Sequence, residues 1–313
     1  MRRVIGIGET ILDIVFRDGV PTGAFPGGSV FNALVALGRC GADTALVTET
    51  GSDRIGDTVV NFMADNGIDT RYVGRFASGQ SPVSLAFLDQ DNNAQYLFYK
   101  DRQVEHQDYT YPDIQADDIV VFCSYFAVDP AVRNQVAGLL DYARGRGAIL
   151  YYDVNFRPSH RSDIMKITPN LLDNLDYADI VRGSIDDFET LYRKTDAAAI
   201  YKAEVSFYCK RFICTQGAAP TVVLADGGFS REYPTAPGEV VSTIGAGDNF
   251  NAGFIFGLLR DGITRADITA GLAPAQWDAL VATAQQFAAE SCKSIYNYVS
   301  PAFGKQMSAY LNK

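Results

Sequence analysis

Short apolar runs alternate with stretches of helical apolar spacing along most of the chain. The short runs predict buried strands, at residues 4–7, 45–48, 119–122, 149–153, 180–181, 212–215 and 222–224. Apolar residues that recur at three- and four-residue steps predict helices, at residues 57–66, 131–143, 164–175, 186–192, 249–260, 265–270, 277–295 and 302–311. Repeated strand–helix units give a mostly parallel sheet with helices on both faces. The sequence therefore predicts an α/β fold.

Two β-rich stretches, approximately residues 11–25 and 72–100, fall outside this alternation. The second contains two apolar runs around a polar turn at 89–93. We expect both stretches to form a small separate sheet, and a lid over the strand ends is the natural use of such a sheet. Residues 1–313 are thus predicted to form a single domain with these two lid segments inserted in it.

Asp13 is a polar residue among the apolar residues 11–16. In a strand, residues 11, 13 and 15 share one face and residues 12, 14 and 16 share the other. Position alone favours the solvent side of a half-buried strand for this carboxylate.

A glycine turn precedes a helix near the N-terminus. Gly27 and Gly28 are followed by a helical apolar pattern that stops at Gly38 or Gly41, and Asn32 lies about one turn inside it. Asparagine is a mildly poor helix former, so Asn32 either faces solvent or hydrogen-bonds a specific partner. The paired glycines just before it favour a specific partner.

A second small-residue turn consists of Gly245, Ala246 and Gly247, and a helix is predicted to begin near its end. Glycines let the backbone approach a ligand closely, and the free amides and positive dipole end of a helix start suit an anion. Asp248 follows in the first helical turn. Such a carboxylate either only stabilises the helix dipole, or takes a proton from a hydroxyl beside a transferring phosphoryl group. The turn alone leaves both interpretations open.

Charge and composition narrow the classes of function. Lys and Arg number 27 against 37 Asp and Glu, a net charge of −10, so nucleic acid is not expected as a partner. Glu9 and Asp13 interrupt the first apolar segment, so neither a signal peptide nor a membrane span is expected there. The 5 scattered cysteines are typical of buried thiols in a cytoplasmic protein. Because the chain has only 2 histidines, its chemistry is expected to depend on carboxylates, amides, Arg and Lys.

The two glycine motifs and the order of elements resemble those of the ribokinase-like, or PfkB-type, carbohydrate kinases, over essentially the whole chain. Residues 242–248, Ser-Thr-Ile-Gly-Ala-Gly-Asp, are similar to the family's C-terminal signature Asp-Thr-x-Gly-Ala-Gly-Asp, with Ser242 in place of the first acid. Gly27, Gly28 and Asn32 are similar to its N-terminal Gly-Gly…Asn motif. The resemblance implies a three-layer α/β/α sandwich with a small β-sheet lid.

The resemblance also implies roles for individual residues. Asp248 would be the catalytic base, and the amides of Gly245, Ala246 and Gly247 would form the anion hole for the transferred phosphate. The implied sugar-binding residues are Asp13, Gly27, Gly28, Asn32, Tyr99, Lys100 and Arg157, and the implied nucleotide-binding residues are Thr215, Gly217, Thr243, Gly245 and Gly247. Asp187 would contact magnesium through water, as the remnant of the family's Asn-x-x-Glu motif.

The function implied by the resemblance is transfer of the γ-phosphoryl group of ATP to a sugar hydroxyl. ATP and Mg²⁺ are the implied cofactors, with a monovalent cation as a further candidate, and paired lids suggest a homodimer. Fructose is the first substrate interpretation, because residues 153–158 look like a segment of fructokinase-like members. A 2-keto-3-deoxygluconate kinase, a ribokinase and a nucleoside kinase are the alternatives.

Two other classes of function compete with a kinase. Ser242, the bulky Val30 and the shortened motif at Asp187 suggest a catalytically reduced sugar- or nucleotide-binding protein, although Asp248 is retained. A dinucleotide-dependent dehydrogenase would need Gly-x-Gly-x-x-Gly after the first strand, whereas residues 6–11 lack the last glycine and no helical pattern follows them. The kinase is therefore ranked first.

Overall fold

A large sheet covered by helices on both faces forms the centre of the protein. The computed structural model describes residues 2–88, 94–100, 110–235, 238 and 240–311. The strands are β1 (Arg3–Ile7), β2 (Ile11–Arg17), β3 (Val20–Gly27), β4 (Asp43–Gly51), β5 (Ile68–Asp69), β6 (Val73–Phe76), β7 (Val83–Leu88), β8 (Ala94–Tyr99), β9 (Ile119–Cys123), β10 (Ile149–Asp153), β11 (Ile180–Ser184), β12 (Phe212–Gln216), β13 (Ala219–Ala225) and β14 (Phe229–Tyr233). The helices are α1 (Ser29–Arg39), α2 (Arg54–Asp65), α3 (Ser124–Val128), α4 (Arg133–Gly145), α5 (Ile164–Tyr177), α6 (Ile185–Tyr192), α7 (Ala197–Ile200), α8 (Ala246–Arg260), α9 (Arg265–Ala270), α10 (Pro274–Ser291) and α11 (Pro301–Ser308).

The large sheet has the strand order β14-β13-β12-β11-β10-β9-β1-β4-β5, and β6 also pairs with β4. Its pairs are parallel except β12 with β13 and β13 with β14. One buried apolar cluster packs α1, α8 and α10 on one face, and a second packs α4 and α5 on the other. The predicted α/β fold with a mostly parallel central sheet is confirmed.

The small sheet has four strands in the order β3-β2-β7-β8. β2 and β7 are parallel, and the two outer pairs are antiparallel. The predicted small separate sheet is therefore confirmed. Residues 73–76, which the sequence assigned to the lid segment 72–100, instead form β6 of the large sheet. The predicted polar turn at 89–93 lies outside the described residues.

Some elements differ from the expected pattern. The short helices α3 and α7 were not predicted, because 5 and 4 residues are too few to show a helical period. β13 and β14 turn the end of the sheet antiparallel, which strand–helix alternation did not indicate. Among the described residues, no helix combines the length and the apolar character needed to cross a membrane.

Two glycines fix the position of α8 against α10. A methyl group on Gly253 would lie 2.7 Å from the Ala284 Cα and 2.7 Å from the Thr283 carbonyl oxygen, and one on Gly257 would lie 2.7 Å from a Leu280 methyl carbon. The helices approach this closely only because both positions lack a side chain. The N-terminus of α8 is therefore held by a rigid contact that begins about two turns along the helix.

Candidate active site

The turn before α8 brings free backbone amides to one point. Gly245 is the N-cap residue with φ 77°, and a methyl group there would lie 2.4 Å from the Asn297 carbonyl oxygen. The Ala246 amide donates to the Thr243 carbonyl at 3.2 Å. Among the described residues, the amides of Gly245 and Gly247 have no such acceptor, so both are open to an anion.

Asp248 lies in the first turn of α8 and is buried. Its Oδ1 accepts a hydrogen bond from the Ser29 hydroxyl at 2.6 Å, and its Oδ2 accepts one from the Asn32 amide at 2.8 Å. Burial raises the pKa of Asp248, and these two hydrogen bonds oppose the shift. The structure thus joins the two glycine motifs, 216 residues apart, through one carboxylate.

Asp13 faces inward from β2, because residues 11, 13 and 15 form the buried face of this strand. The expectation that Asp13 lies on the solvent side is therefore wrong. Its carboxylate accepts hydrogen bonds from the Ser84 hydroxyl of β7 and, at 3.1 Å, from the Asn297 amide. Burial raises the pKa of Asp13 to about 6. A methyl group on Gly27 would lie 2.4 Å from Asp13 Oδ2, so this glycine leaves room for the carboxylate.

The loop before β2 touches both the glycine turn and the end of the small sheet. Gly28 has φ 126°, and a methyl group there would lie 2.3 Å from the Glu9 carbonyl oxygen. The Glu9 carboxylate forms an ion pair with Lys100, just after β8. Lys100 is therefore held near Gly28 rather than free in solvent.

Tyr99 lies on the face of the small sheet opposite to Asp13. Tyr99 is 60% exposed on the outer face of β8, where it lines an open depression of about 680 Å³ with Asp53 and Lys100. Tyr96 and Phe98, on the opposite face of the same strand, are partly buried. The sequence identified this strand, and Tyr96 and Phe98 are its aromatic residues on the same face as Asp13.

Arg157 lies opposite the inner face of β8. Its guanidinium is 6.0 Å from the centre of the Tyr96 ring, and its charge lowers the pKa of Asp248 against the larger effect of burial. Nearby, the His160 ring stacks on Tyr125 with centroids 4.1 Å apart and on Phe98 at 6.3 Å. Aromatic rings of the small sheet and of the main body thus meet beside Arg157.

Arg182, in the middle of β11, was not identified from the sequence. It is buried, donates to both Asp153 oxygens at 3.0 and 3.2 Å, and donates to the Thr215 hydroxyl at 2.5 Å. A methyl group on Gly247 would lie 3.0 Å from its guanidinium nitrogen. Although burial lowers the pKa of Arg182, the carboxylates of Asp153 and Asp187 outweigh that effect and raise it. A fixed positive charge therefore lies against the anion-binding turn.

Asp187 caps the start of α6. One of its oxygens accepts the Phe156 amide at 2.9 Å, and the other accepts the Ser184 amide at 2.6 Å. Burial, with the nearby Asp153 carboxylate, raises the pKa of Asp187. No group of three or more potential metal ligands occurs among the described residues. These contacts are those of a capping residue that also holds the Phe156 main chain.

The remaining predicted nucleotide-binding residues lie on the other side of the turn. Thr215 lies near the end of β12 in contact with Arg182, and Gly217, with φ 60°, follows in the turn to β13. Thr243 is exposed just before Gly245. Ser242 is buried, and its hydroxyl accepts the Ile244 amide at 3.2 Å, so it stabilises the turn where the family signature has an acid.

Sequence reasoning missed several polar residues that hold this site together. Asn249 and Asn251 of α8 bind the Asn297 carbonyl and the Asp153 carboxylate, respectively. Ser29 was adjacent to a recognised motif and could have been included. Asn297 follows the last long helix with no motif around it, so the sequence held no signal for its contact with Asp13, 284 residues away.

Comparisons with known proteins agree with this geometry. The model of the pfkB family carbohydrate kinases matches residues 2–299. A 5-dehydro-2-deoxygluconokinase of Geobacillus thermodenitrificans is 26% identical over 252 residues, which cover 75% of this chain and 73% of that protein. A fructokinase of Rhizobium leguminosarum bv. trifolii is 25% identical over 272 residues, covering 83% and 81%.

Solved structures show the same architecture. The fructokinase of Vibrio cholerae O395, solved with fructose, ADP and a calcium ion, has a TM-score of 0.83 at 19% identity and covers 99% of both chains. At this identity the likeness concerns the fold alone, whereas the family match spans nearly the whole chain. The chain therefore belongs to the pfkB family of carbohydrate kinases and is a phosphotransferase that acts on a sugar hydroxyl.

Proposed function

We propose that this kinase transfers the γ-phosphoryl group of ATP to a hydroxyl of fructose, with Asp248 as the catalytic base. The observation that carries the proposal is the position of Asp248, fixed by two hydrogen-bond donors and adjacent to the open amides of Gly245 and Gly247. Phosphoryl transfer needs a group that orients the nucleophile and a site that holds the transferred anion. In this site the Asp248 carboxylate and the anion-binding amides are adjacent.

The oxygen of the sugar hydroxyl attacks the γ-phosphorus, and the bond to ADP breaks. Asp248 accepts the proton of that hydroxyl. Ser29 and Asn32 each occupy one hydrogen-bonding position on the carboxylate, which leaves lone pairs on both oxygens for the sugar. Because both donors belong to α1, they also set the direction in which the carboxylate faces. Positioning of this kind supplies much of the assistance in a loose transition state.

The turn before α8 stabilises charge on the transferred phosphoryl oxygens. The amides of Gly245 and Gly247 donate to these oxygens, and the positive end of the α8 dipole adds to the effect. Arg182 supports this turn with a positive charge that Asp153 holds in place. Thr215, in contact with Arg182, begins the nucleotide side of the site in this proposal.

Magnesium, when bound with ATP, neutralises charge on the phosphate oxygens. Asp187 is the proposed contact to it, and each of its oxygens accepts one backbone amide. In this proposal the carboxylate contacts the ion through water, as is common for Mg²⁺.

The sugar site lies between Asp13, Asn32 and the inner face of β8, where the small sheet acts as a lid that excludes water. Fructose is supported by the segment that carries Arg157 and by the fructokinase among the relatives. A keto-deoxy sugar acid is the second candidate, because another relative is a 5-dehydro-2-deoxygluconokinase and Arg157 and Lys100 could face a carboxylate.

A coupled assay of ADP release tests the proposal across fructose, other hexoses, ribose, keto-deoxy sugar acids and nucleosides. Turnover of fructose above the others supports the first candidate, and turnover of a keto-deoxy acid replaces it with the second. An absence of turnover on the whole panel, with sugar binding retained in calorimetry, would instead support the catalytically reduced binding protein.

A homodimer through the small sheet is part of the proposal. Across β2, β7 and β8, the outer face of this sheet carries the polar side chain of Gln95 and the apolar or aromatic side chains of Leu12, Ile14, Phe16, Val83, Leu85, Phe87, Leu97 and Tyr99. Leu97 is 54% exposed, and a second copy of the same face would cover it symmetrically. Light scattering should give twice the chain mass, and Leu97→Glu should reduce it to one chain. A wild-type monomer would remove the dimer from the proposal.

A cytoplasmic location is also proposed. All 5 cysteines are free thiols, and burial raises the pKa of each of them. Unpaired and unreactive thiols are typical of proteins in a reducing compartment.

A further inference from the structure

Residues 296–299, here called the strap, connect the small sheet to the body of the protein. The Tyr296 ring packs edge-on against Phe25 of β3, with centroids 5.1 Å apart. The Tyr298 hydroxyl donates to the Pro26 carbonyl at 2.8 Å. The strap therefore holds the strand that ends at the first glycine turn.

The other side of the strap is fixed to the start of α8. Asn249 is fully buried, and its amide nitrogen donates to the carbonyl oxygens of Gly245 and Asn297 at 2.8 and 2.9 Å. Its Oδ1 accepts the Val299 amide at 3.2 Å. The Asn297 main chain is therefore tied to the turn that holds the phosphoryl group in the proposed mechanism.

The side chain of Asn297 points to the sugar site. Its amide nitrogen donates to Asp13, and a methyl group on Gly27 would lie 3.3 Å from that nitrogen. Its Oδ1 is buried and has no hydrogen-bond partner among the described residues, while the whole residue is 2% exposed. A buried acceptor without a hydrogen-bond donor lowers the stability of the fold, so its presence at Asn297 needs an explanation.

Asn32 has the same arrangement on the other carboxylate. Its amide nitrogen donates to Asp248, and its Oδ1 is likewise buried without a partner among the described residues. Each amide thus fixes one carboxylate and presents one unsatisfied acceptor. A ligand with several hydroxyl groups would supply the missing donors.

We propose that Asn297 is a substrate-binding residue whose Oδ1 accepts a hydrogen bond from a sugar hydroxyl next to the one bound by Asp13. The inference rests on the proposed function and adds a residue to its sugar site. Because the Asn297 main chain is tied to Gly245, this contact also sets the distance between the sugar and the phosphoryl group.

The same residue affects the ionisation of Asp13. The other titratable groups that interact electrostatically with this carboxylate are Asp248, Glu9 with its partner Lys100, Tyr96 and Tyr298. Burial raises the pKa of Asp13, and the hydrogen bond from Asn297 lowers it. Removal of that bond therefore raises the pKa further, so ionised Asp13 is lost at a higher pH.

The test uses Asn297→Ala and the sugar that the wild type phosphorylates in the panel. Loss of one hydrogen bond should raise the sugar KM roughly tenfold and leave the ATP KM unchanged. The acid limb of kcat/KM should move to higher pH. One monodeoxy analogue, which lacks the hydroxyl bound by Asn297, should bind the wild type poorly. The variant should bind this analogue and the parent sugar equally well. Thermal unfolding checks that the variant is folded.

Two variants serve as controls. Tyr298→Phe removes only the hydroxyl that holds Pro26, so the acid limb and the discrimination against the deoxy analogue should be kept. Should Asn297→Ala not fold, Asn297→Asp keeps the shape and an acceptor but replaces the amide donor by a second carboxyl group beside Asp13, which raises the pKa of the pair. Asn297→Asp should move the acid limb of kcat/KM and retain the discrimination against the deoxy analogue.

The outcomes separate this inference from the proposed function. If the wild type phosphorylates a sugar while Asn297→Ala keeps its KM, its pH profile and its discrimination, the role of Asn297 is refuted and the kinase mechanism stands. If the wild type phosphorylates nothing in the panel, the proposed function fails and the inference fails with it.

Discussion

Replacing Asp248 by asparagine separates the two roles that a carboxylate can have at a helix start. Asparagine keeps the shape of the residue and its place in α8. Its carbonyl oxygen can accept from Asn32, and its nitrogen can donate to the Ser29 hydroxyl, which is able to accept. Both hydrogen bonds therefore survive, while the capacity to take a proton from the sugar is lost.

The expected effect on turnover follows from the role of a general base. Such a group contributes roughly 10²- to 10⁴-fold, which corresponds to about 2.7–5.4 kcal/mol in the activation free energy. We therefore expect kcat for Asp248→Asn to fall by at least about a hundredfold. The assay is ADP release with the sugar identified in the panel, together with calorimetry that confirms unchanged ATP affinity.

The same substitution should not lower the stability. Burial raises the pKa of Asp248 above its value in the unfolded chain, so the ionised form is disfavoured by folding. That cost is absent below the unfolded pKa, where both states are protonated, and is fully present above the folded pKa. At neutral pH the asparagine variant escapes it, so its Tm should equal or exceed that of the wild type.

Asp267→Asn is the matched control, because Asp267 occupies the equivalent position in the first turn of α9 and caps Thr264. It should alter only the stability of that helix and leave kcat unchanged. Retention of more than about a tenth of wild-type kcat by Asp248→Asn would refute the catalytic role.

Three further predictions follow from the packing and charges of the site. If Asp13 must be ionised to bind a sugar hydroxyl, kcat/KM for the sugar should fall as the pH drops below about 6, and a flat profile there would contradict this role. Gly253→Ala should lower the free energy of unfolding in urea by about 1–3 kcal/mol, since α10 backbone blocks the methyl group, whereas Gly145→Ala, which meets no atom within 4 Å, should not. Arg182→Met should cost about 3–5 kcal/mol because it leaves the buried Asp153 carboxylate without its cation; an unchanged urea midpoint would show that Asp153 is compensated otherwise.

The sequence predicted the main elements well because their signals are local. The strand pattern at β2 and the glycine turn before α8 depend on neighbouring residues, and both lie where expected. The orientation of a strand is not local. Position alone placed Asp13 on the wrong face, because the neighbouring strand β7 and the packing on the body decide which face is buried.

Partners that are distant in the sequence could not be predicted. Asn297 contacts Asp13, which lies almost at the other end of the chain. Arg182 of β11 lies against Gly247 at the start of α8. Neither residue lies in a motif, and an isolated polar residue usually faces solvent. Only the packed structure reveals that these two contacts belong to one site.

Asp248 is adjacent to the first turns of two helices at once, since Ser29 begins α1 and Asp248 itself lies at the start of α8. Each helix start carries roughly half a positive charge, so the two together offset about one negative charge. The buried carboxylate is therefore compensated in part by backbone, in addition to the charge of Arg157. The backbone compensation is built into the peptide groups and is buried from solvent, so point substitutions cannot remove it and salt screens it little.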